Sequence, residues 1–215
     1  MRQIYFIIKR TIKLIVFFAQ QQIRKIFVEF HCFPFYELSP LPASASRIMK
    51  EACDILENMN IKYRITDGTI LGIYRNNAFI PHDNDIDIDI LDVQDYRIIS
   101  DIFKKKMNLS IGRKVLYKGK IQQLALYDKD KVIIDLIFWY TNCDEIVNYQ
   151  EKGYERRQPA KYFFNLDTII FHNVKYFMPS NIEEWLIFRY GNDWNIPKTY
   201  KGDWKEECGD IIRLK

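Results

Sequence analysis

The chain has 215 residues, enough for one ordinary domain with a flanking appendage, and enough to bury a core without disulfide help. Its 48% apolar, 28% charged and 15% aromatic side chains exclude the disordered, collagen-like and low-complexity classes. The formal net charge is +4, but residues 1–31 set six basic side chains against Glu29 alone and so carry +5; the remaining residues balance at −1, which argues against a nucleic-acid-binding body.

From the N-terminus, Ile4 to Val28 is apolar and basic, and its charge-free runs are too short to span a bilayer comfortably. At about 100° per residue, Arg2, Lys9, Arg10, Lys13, Gln20 and Arg24 gather on one side and Ile4, Ile8, Ile12, Ile15, Ala19 and Ile26 on the other. A basic amphipathic helix is predicted, suited to the anionic inner face of a cell membrane. Docking on the protein's own core and a cleaved signal peptide are the alternatives, the latter disfavoured by the interrupted apolar run. Pro34, Pro40 and Pro42, with neighbouring serines, mark a break, so the expected division is a segment and linker over 1–42 and a folded domain over 43–215.

Within that domain, Ile48, Ala52, Ile55 and Leu56 recur at helical spacing between Ala43 and Asn60. A short strand follows at Lys62 to Thr66, a turn and short helix at Gly68 to Asn76, a strand at Ile86 to Ile90 and a helix at Val93 to Met107. Strands are then predicted at Lys114 to Tyr117, Ile121 to Tyr127 and Val132 to Trp139. Thr168 to Phe171 and Lys175 to Met178 read as a hairpin, and Ser180 with Glu183 as a capping box that opens a last helix. This order predicts an α+β domain with a mixed sheet. Cys32, Cys53, Cys143 and Cys208 form no CxxC pair and read as reduced thiols in a cytosolic protein.

The chemistry concentrates between Asp67 and Ile90. In a strand, Asp85, Asp87 and Asp89 share one face and Ile86, Ile88 and Ile90 the other. A one-sided acidic row is either solvated or holds a cation, because neighbouring carboxylates raise one another's pKa. An EF-hand loop starting at Asp83 fails, since its sixth and twelfth places hold Ile88 and Gln94. A P-loop fails as well, because Gly68 to Gly72 lacks the GK[ST] ending. Asp135 interrupts the apolar run Val132 to Trp139 and is the candidate third carboxylate, since a lone Asp in a buried strand needs a cation or a partner. Its other reading is a salt bridge to a nearby Lys or Arg. Arg156 and Arg157, with Lys152 and Lys161, read as a solvated basic run able to attract an anion.

Gly68-Thr69-Ile70-Leu71-Gly72 with Arg75, then Ile80-Pro81-His82-Asp83-Asn84-Asp85-Ile86-Asp87, resembles the GTLLGxxR...IPWDxDID signature of the LicD family. Ile134-Asp135-Leu136 is similar to its apolar-Asp-apolar strand, and Met178-Pro179-Ser180-Asn181 through Tyr190-Gly191 to Trp194 and Pro197 is similar to its closing segment. One departure is His82, where the family has Trp. The resemblance runs from about residue 45 to 200 and implies a nucleotidyltransferase-like fold, a mixed sheet flanked by helices. The implied activity moves a phosphorylated alcohol, such as phosphocholine or an alditol phosphate, from a CDP-linked donor to a hydroxyl of a cell-surface glycan or its lipid-linked precursor, releasing CMP.

Carried over by position, the resemblance implies Asp85 and Asp87 as ligands of Mg²⁺ or Mn²⁺. Asp135 becomes the third carboxylate, ligand or general base. Gly68, Thr69 and Arg75 would contact the donor phosphates, and Asp83 would stand behind the ligands. Asp89 lies beyond the motif and is expected on solvated surface. Two rivals remain: a nucleotidyltransferase that moves NMP from an NTP and releases pyrophosphate, and a non-catalytic module that binds a nucleotide or glycan.

Overall fold

The computed structural model describes residues 26–30, 40–150, 153–198 and 208–213. The predicted amphipathic helix lies outside the described residues up to residue 25. Its last part does not: Ile26–Phe30 is a strand, β1, paired antiparallel with a later strand. Ile26, Phe27, Val28 and Phe30 are the β-branched and aromatic residues that a pleated ribbon prefers.

The chain then runs through α1 (Ala45–Asn58), β2 (Tyr63–Ile65), α2 (Asp67–Asn76), β3 (Asp85–Leu91), α3 (Tyr96–Met107), β4 (Ser110–Tyr117), β5 (Lys120–Tyr127) and β6 (Ile133–Asn142). After these come β7 (Glu145–Gln150), β8 (Tyr154–Pro159), α4 (Lys161–Phe164), the hairpin β9 (Asp167–Phe171) and β10 (Val174–Met178), α5 (Ile182–Tyr190) and β11 (Ile211–Arg213). The main sheet runs β1-β4-β5-β6-β7-β8-β11, with β3 beside β6 and β2 beside β3. It is mixed because β3 and β6 run parallel while the other pairs are antiparallel. The ten-residue β6 joins two halves: its start pairs with β3 and β5, its end with β7.

Alternation along β3 places Ile86, Ile88 and Ile90 in the core with Ile134, Leu136 and Phe138 of β6, under α1 and α3. All three isoleucines are fully buried. Burial on this scale stabilises by roughly 1.5–3 kcal/mol per side chain, and it fixes the register that holds the aspartates of β3 on the opposite face. A smaller cluster of Ile137, Trp139, Ile146, Ala160 and Phe163 packs on that other face.

The last helix starts differently from expectation. Ser180 Oγ donates to the Lys161 carbonyl, and Glu183 accepts from the Tyr74 hydroxyl, so no capping box forms. Asn181, in the left-handed region at φ 50°, caps the helix instead, and its N–H donates to the Asp167 carboxylate. Among the described residues no helix is long and apolar enough to cross a membrane.

Candidate active site

Parallel pairing of β3 with β6 puts Asp87 opposite Asp135. One carboxylate oxygen from each of Asp85, Asp87 and Asp135 lies within 4.8 Å of the others, so the structure brings together the three residues expected to share a cation. The row continues across the sheet, Asp135 opposite Ala125 of β5 and Ala125 opposite Arg113 of β4. Ala125 leaves the space above it open, and Arg113 reaches across to Asp135 Oδ2 at 3.0 Å. Gln123 donates to the same oxygen. Asp135 thus has both partners anticipated for it, an arginine and the acidic pair. Its other oxygen, Oδ1, is buried without a hydrogen-bond partner among the described residues.

Burial pushes the Asp85 and Asp87 carboxyls well above the ordinary carboxylate range, and like charge pushes them further: Asp83 and Asp135 act on Asp85, while Asp85, Asp67, Asp83 and Asp135 act on Asp87. Burial raises Asp135 too, against the opposing pull of Arg113 and Gln123. A cation resolves this arrangement. Hard carboxylate oxygens suit Mg²⁺ or Mn²⁺, and the orphaned Asp135 Oδ1 is the kind of buried acceptor that a metal satisfies. The residues present therefore fit the divalent ion expected of them.

Helix α2 aims its first turn at this face. The Thr66 N–H donates to the Asp87 carbonyl at 3.1 Å, and the buried Thr69 hydroxyl accepts from the Asp87 N–H at 2.9 Å. Thr69 thereby braces the backbone of Asp87. Asp83 packs its carboxylate on Gly68 so closely that a Cβ there would stand 2.5 Å from Oδ2. No donor among the described residues reaches that oxygen, and burial raises the Asp83 pKa. Gly72 has a different reason to be glycine: a Cβ would meet the Ala78 carbonyl oxygen at 2.6 Å and the Ile80 nitrogen at 2.9 Å, so the helix passes close beneath the loop that leads to β3. Arg75 lies in the last turn of α2, seven residues from Gly68, or about 10 Å along the axis on the same side. Its Nε is buried without a partner among the described residues. His82 is exposed.

Asp89 corrects the expectation of a solvated residue. It is fully buried, accepting from Arg64 Nε at 2.8 Å and Trp139 Nε1 at 2.7 Å, because β2 and β6 flank that end of β3. Arg156 was likewise expected in solvent and is 1% exposed. Its guanidinium makes a bidentate pair with Asp67 at 2.8 and 2.9 Å and a third contact to Asp210 at 2.9 Å. Arg189 closes the ring, bonding Asp67 at 2.9 Å and Asp210 at 2.8 Å. Gln158 joins ring to pair, donating to Asp210 and accepting from Arg64.

These six charges cancel, and they anchor Asp67, the first residue of α2, at an unusual φ of 44°. The ring was not legible in the sequence, since Asp67, Arg156, Arg189 and Asp210 are scattered over four elements or loops. The one local clue was Asp67 itself, an aspartate at the head of the Gly-Thr turn, where a residue tolerant of the left-handed region is needed.

The family described as "LicD/FKTN/FKRP, nucleotidyltransferase domain" matches residues 60–181, a span from β2 to the start of α5. The chain is 30% identical over 175 residues to the ribitol-5-phosphate transferases FKTN of Macaca fascicularis and Homo sapiens, covering 78% of this chain and 36% of each relative. It therefore spans about a third of the length of those relatives. Among solved structures, the lincomycin-bound lincosamide antibiotic adenylyltransferase LnuA aligns with TM-score 0.45 and 15% identity, covering 69% of this chain and 86% of that one. With its motif, its mixed sheet and its family match in agreement, the chain belongs to the LicD/FKTN/FKRP nucleotidyltransferase-domain family.

Proposed function

We propose that the protein is a metal-dependent phosphotransferase that moves a phosphorylated alcohol, an alditol phosphate or phosphocholine, from a CDP-linked donor to a glycan hydroxyl. The observation that carries this reading is the convergence of Asp85, Asp87 and Asp135 on one point, with a buried oxygen left unpartnered. Similarity to ribitol-5-phosphate transferases supports the class of group transferred. In the reaction the acceptor oxygen forms a bond to phosphorus as the bond to CMP breaks. CMP leaves with the electron pair, and the hydroxyl proton passes to solvent.

Bound Mg²⁺ or Mn²⁺ would neutralise charge on the transferring phosphoryl group and its leaving nucleotide. Asp85, Asp87 and Asp135 would hold it. Asp135 would offer its unpartnered Oδ1 as a ligand, its Oδ2 being held by Arg113 and Gln123. Gly68, in the first turn of α2, offers its amide to the donor phosphates. Thr69 keeps the Asp87 peptide in place, Arg75 supplies a permanent cation, and Asp83 stands between Gly68 and the ligands. The catalytic domain begins near residue 43 and takes β1 as an added edge strand. The basic segment before β1 rests on the inner face of the membrane, near a lipid-linked acceptor. Deleting residues 1–25, which leaves β1 intact, should release the protein from anionic vesicles without loss of the donor reaction; a truncated protein that still sediments with vesicles would remove that part of the reading.

The activity is tested by incubating the full chain with CDP-linked alcohols or NTPs, with Mg²⁺ or with EDTA, and analysing products. CMP released from one CDP-linked alcohol, dependent on metal and at least 100-fold slower in Asp87→Asn, is the expected result. Pyrophosphate from an NTP would replace this reading with nucleotidyl transfer, and turnover of neither would leave a binding module.

A further inference from the structure

We propose that Arg113 is a donor-phosphate-binding residue of this site, reaching it from β4 on the side of the carboxylates away from α2; this rests on the reading above that a nucleotide diphosphate enters here. Register places it. Arg113, Ala125, Asp135 and Asp87 are successive cross-strand partners on β4, β5, β6 and β3, so they stand at one level on one face. Two strand spacings, about 9.5 Å, separate Arg113 from Asp135. Only a long side chain crosses that distance, and only a small residue at 125 lets it pass.

The guanidinium is incompletely used. It carries five N–H donors, yet among the described residues a single acceptor, Asp135 Oδ2, is engaged. Nε is buried and has no partner among the described residues, while the side chain as a whole is 27% exposed, so part of it is sheltered and part reaches solvent. A buried N–H left unpaired is destabilising, and this cost is removed when an acceptor arrives. Buried side-chain atoms without partners include two acceptors, Asp135 Oδ1 and Asp83 Oδ2, and the Arg113 donor. A cation satisfies the first kind and an anion the second, which is the pairing that a metal-bound diphosphate brings.

Charge points the same way. Asp83, Asp85, Asp87 and Asp135 crowd this face, and Arg113 opposes the charge on Asp85 and Asp135 directly. A diphosphate approaching four carboxylates needs a fixed cation besides the metal. Because Gln123 also donates to Asp135 Oδ2, Arg113 can share its fork with phosphate while Asp135 keeps a partner.

The test uses the full chain with Mn²⁺ and measures, by calorimetry, binding of CDP, inorganic pyrophosphate and cytidine to wild type, Arg113→Gln and Arg113→Lys. Arg113→Gln should bind CDP and pyrophosphate at least tenfold more weakly, the scale of one charge-assisted hydrogen bond, with cytidine unaffected. Arg113→Lys, a point charge in place of a fork, should fall between. Equal affinities for both anions in wild type and Arg113→Gln overturn the proposal. If that variant lacks a cooperative melt, Arg113→Lys decides: a loss of threefold or more supports the proposal, and unchanged affinity overturns it. Pyrophosphate binding that depends on Arg113, without any gain from the cytidine of CDP, would sustain Arg113 as a phosphate ligand and defeat the CDP-donor reading instead. Wild type that binds neither anion defeats both.

Discussion

Replacing Asp87 by asparagine should make the metal-free protein more stable while abolishing its stabilisation by metal. The Asp87 carboxylate makes no hydrogen bond among the described residues, since Thr69 holds only its peptide N–H, so asparagine forfeits nothing local. Its charge, by contrast, stands within 4.8 Å of two others. At that distance and an effective dielectric of about 20, a pair of like charges repels by about 3.5 kcal/mol. Neutralising Asp87 removes two such pairs. Local relaxation and water relieve part of this repulsion, which brings the expected gain down to about 1–3 kcal/mol. For a chain of this size each kcal/mol moves the melting temperature by about 2–4 °C.

In EDTA at pH 7.5, Asp87→Asn should therefore melt about 2–12 °C above wild type. A raised carboxyl binds its proton more tightly in the folded state, so this liability is absent below about pH 4 and grows as pH climbs through the raised value. The gap between variant and wild type should widen accordingly. Mg²⁺ at 100 times its dissociation constant adds about 2.7 kcal/mol to a protein that binds it, which should lift wild type and leave the variant unmoved. Differential scanning calorimetry with and without Mg²⁺ measures both effects. A variant less stable than wild type in EDTA, or one lifted equally by Mg²⁺, would refute the reasoning.

Asp210→Asn breaks a buried ring in which both Arg156 and Arg189 lose a partner, and should cost about 3–5 kcal/mol, read as a lower urea midpoint. Burial alone would raise the Asp67 carboxyl, but Arg156 and Arg189 outweigh it and hold it below the usual range. The sign is that of a depressed acid: its stabilisation is complete above about pH 4 and fades as pH falls below the unfolded value, so Asp67→Asn should flatten the acid limb of the stability curve. Gly72→Ala drives a Cβ against backbone atoms at 2.6 and 2.9 Å and should destabilise by about 1–3 kcal/mol in thermal melts. Gly68→Ala pushes instead on the Asp83 carboxylate, so calorimetry should find weaker Mn²⁺·CDP binding with a melting point close to wild type.

Much of this site could be read before any fold was known, because its signals are short-range. Alternation in Asp85-Ile86-Asp87-Ile88-Asp89-Ile90 requires one acidic and one apolar face, and the isoleucines are indeed core. A lone Asp135 in an apolar strand demands a partner. Alternation alone could not separate Asp89 from Asp85 and Asp87, since what differs is the cover that Arg64 and Trp139 lay over one end of β3.

Strands β7 and β8 went unpredicted because their buried positions include Asn148, Gln150, Glu155, Arg156 and Gln158. Those residues read as surface until their partners are known, Gln122 and Phe138 for Asn148, Asp67 and Asp210 for Arg156, and Arg64, Trp185 and Asp210 for Gln158. The same limit hid Arg113, whose importance arises from a register three strands wide.

The central claim is that Asp85, Asp87 and Asp135 form a divalent-cation site on which the nucleotide-linked donor depends. Electron paramagnetic resonance of Mn²⁺ titrated into the full chain, with CDP present and absent, tests it most directly in wild type and Asp87→Asn. We expect one Mn²⁺ per chain in wild type, bound more tightly with CDP, and affinity at least 100-fold weaker in the variant under both conditions. Equal Mn²⁺ binding by the two proteins would contradict the claim.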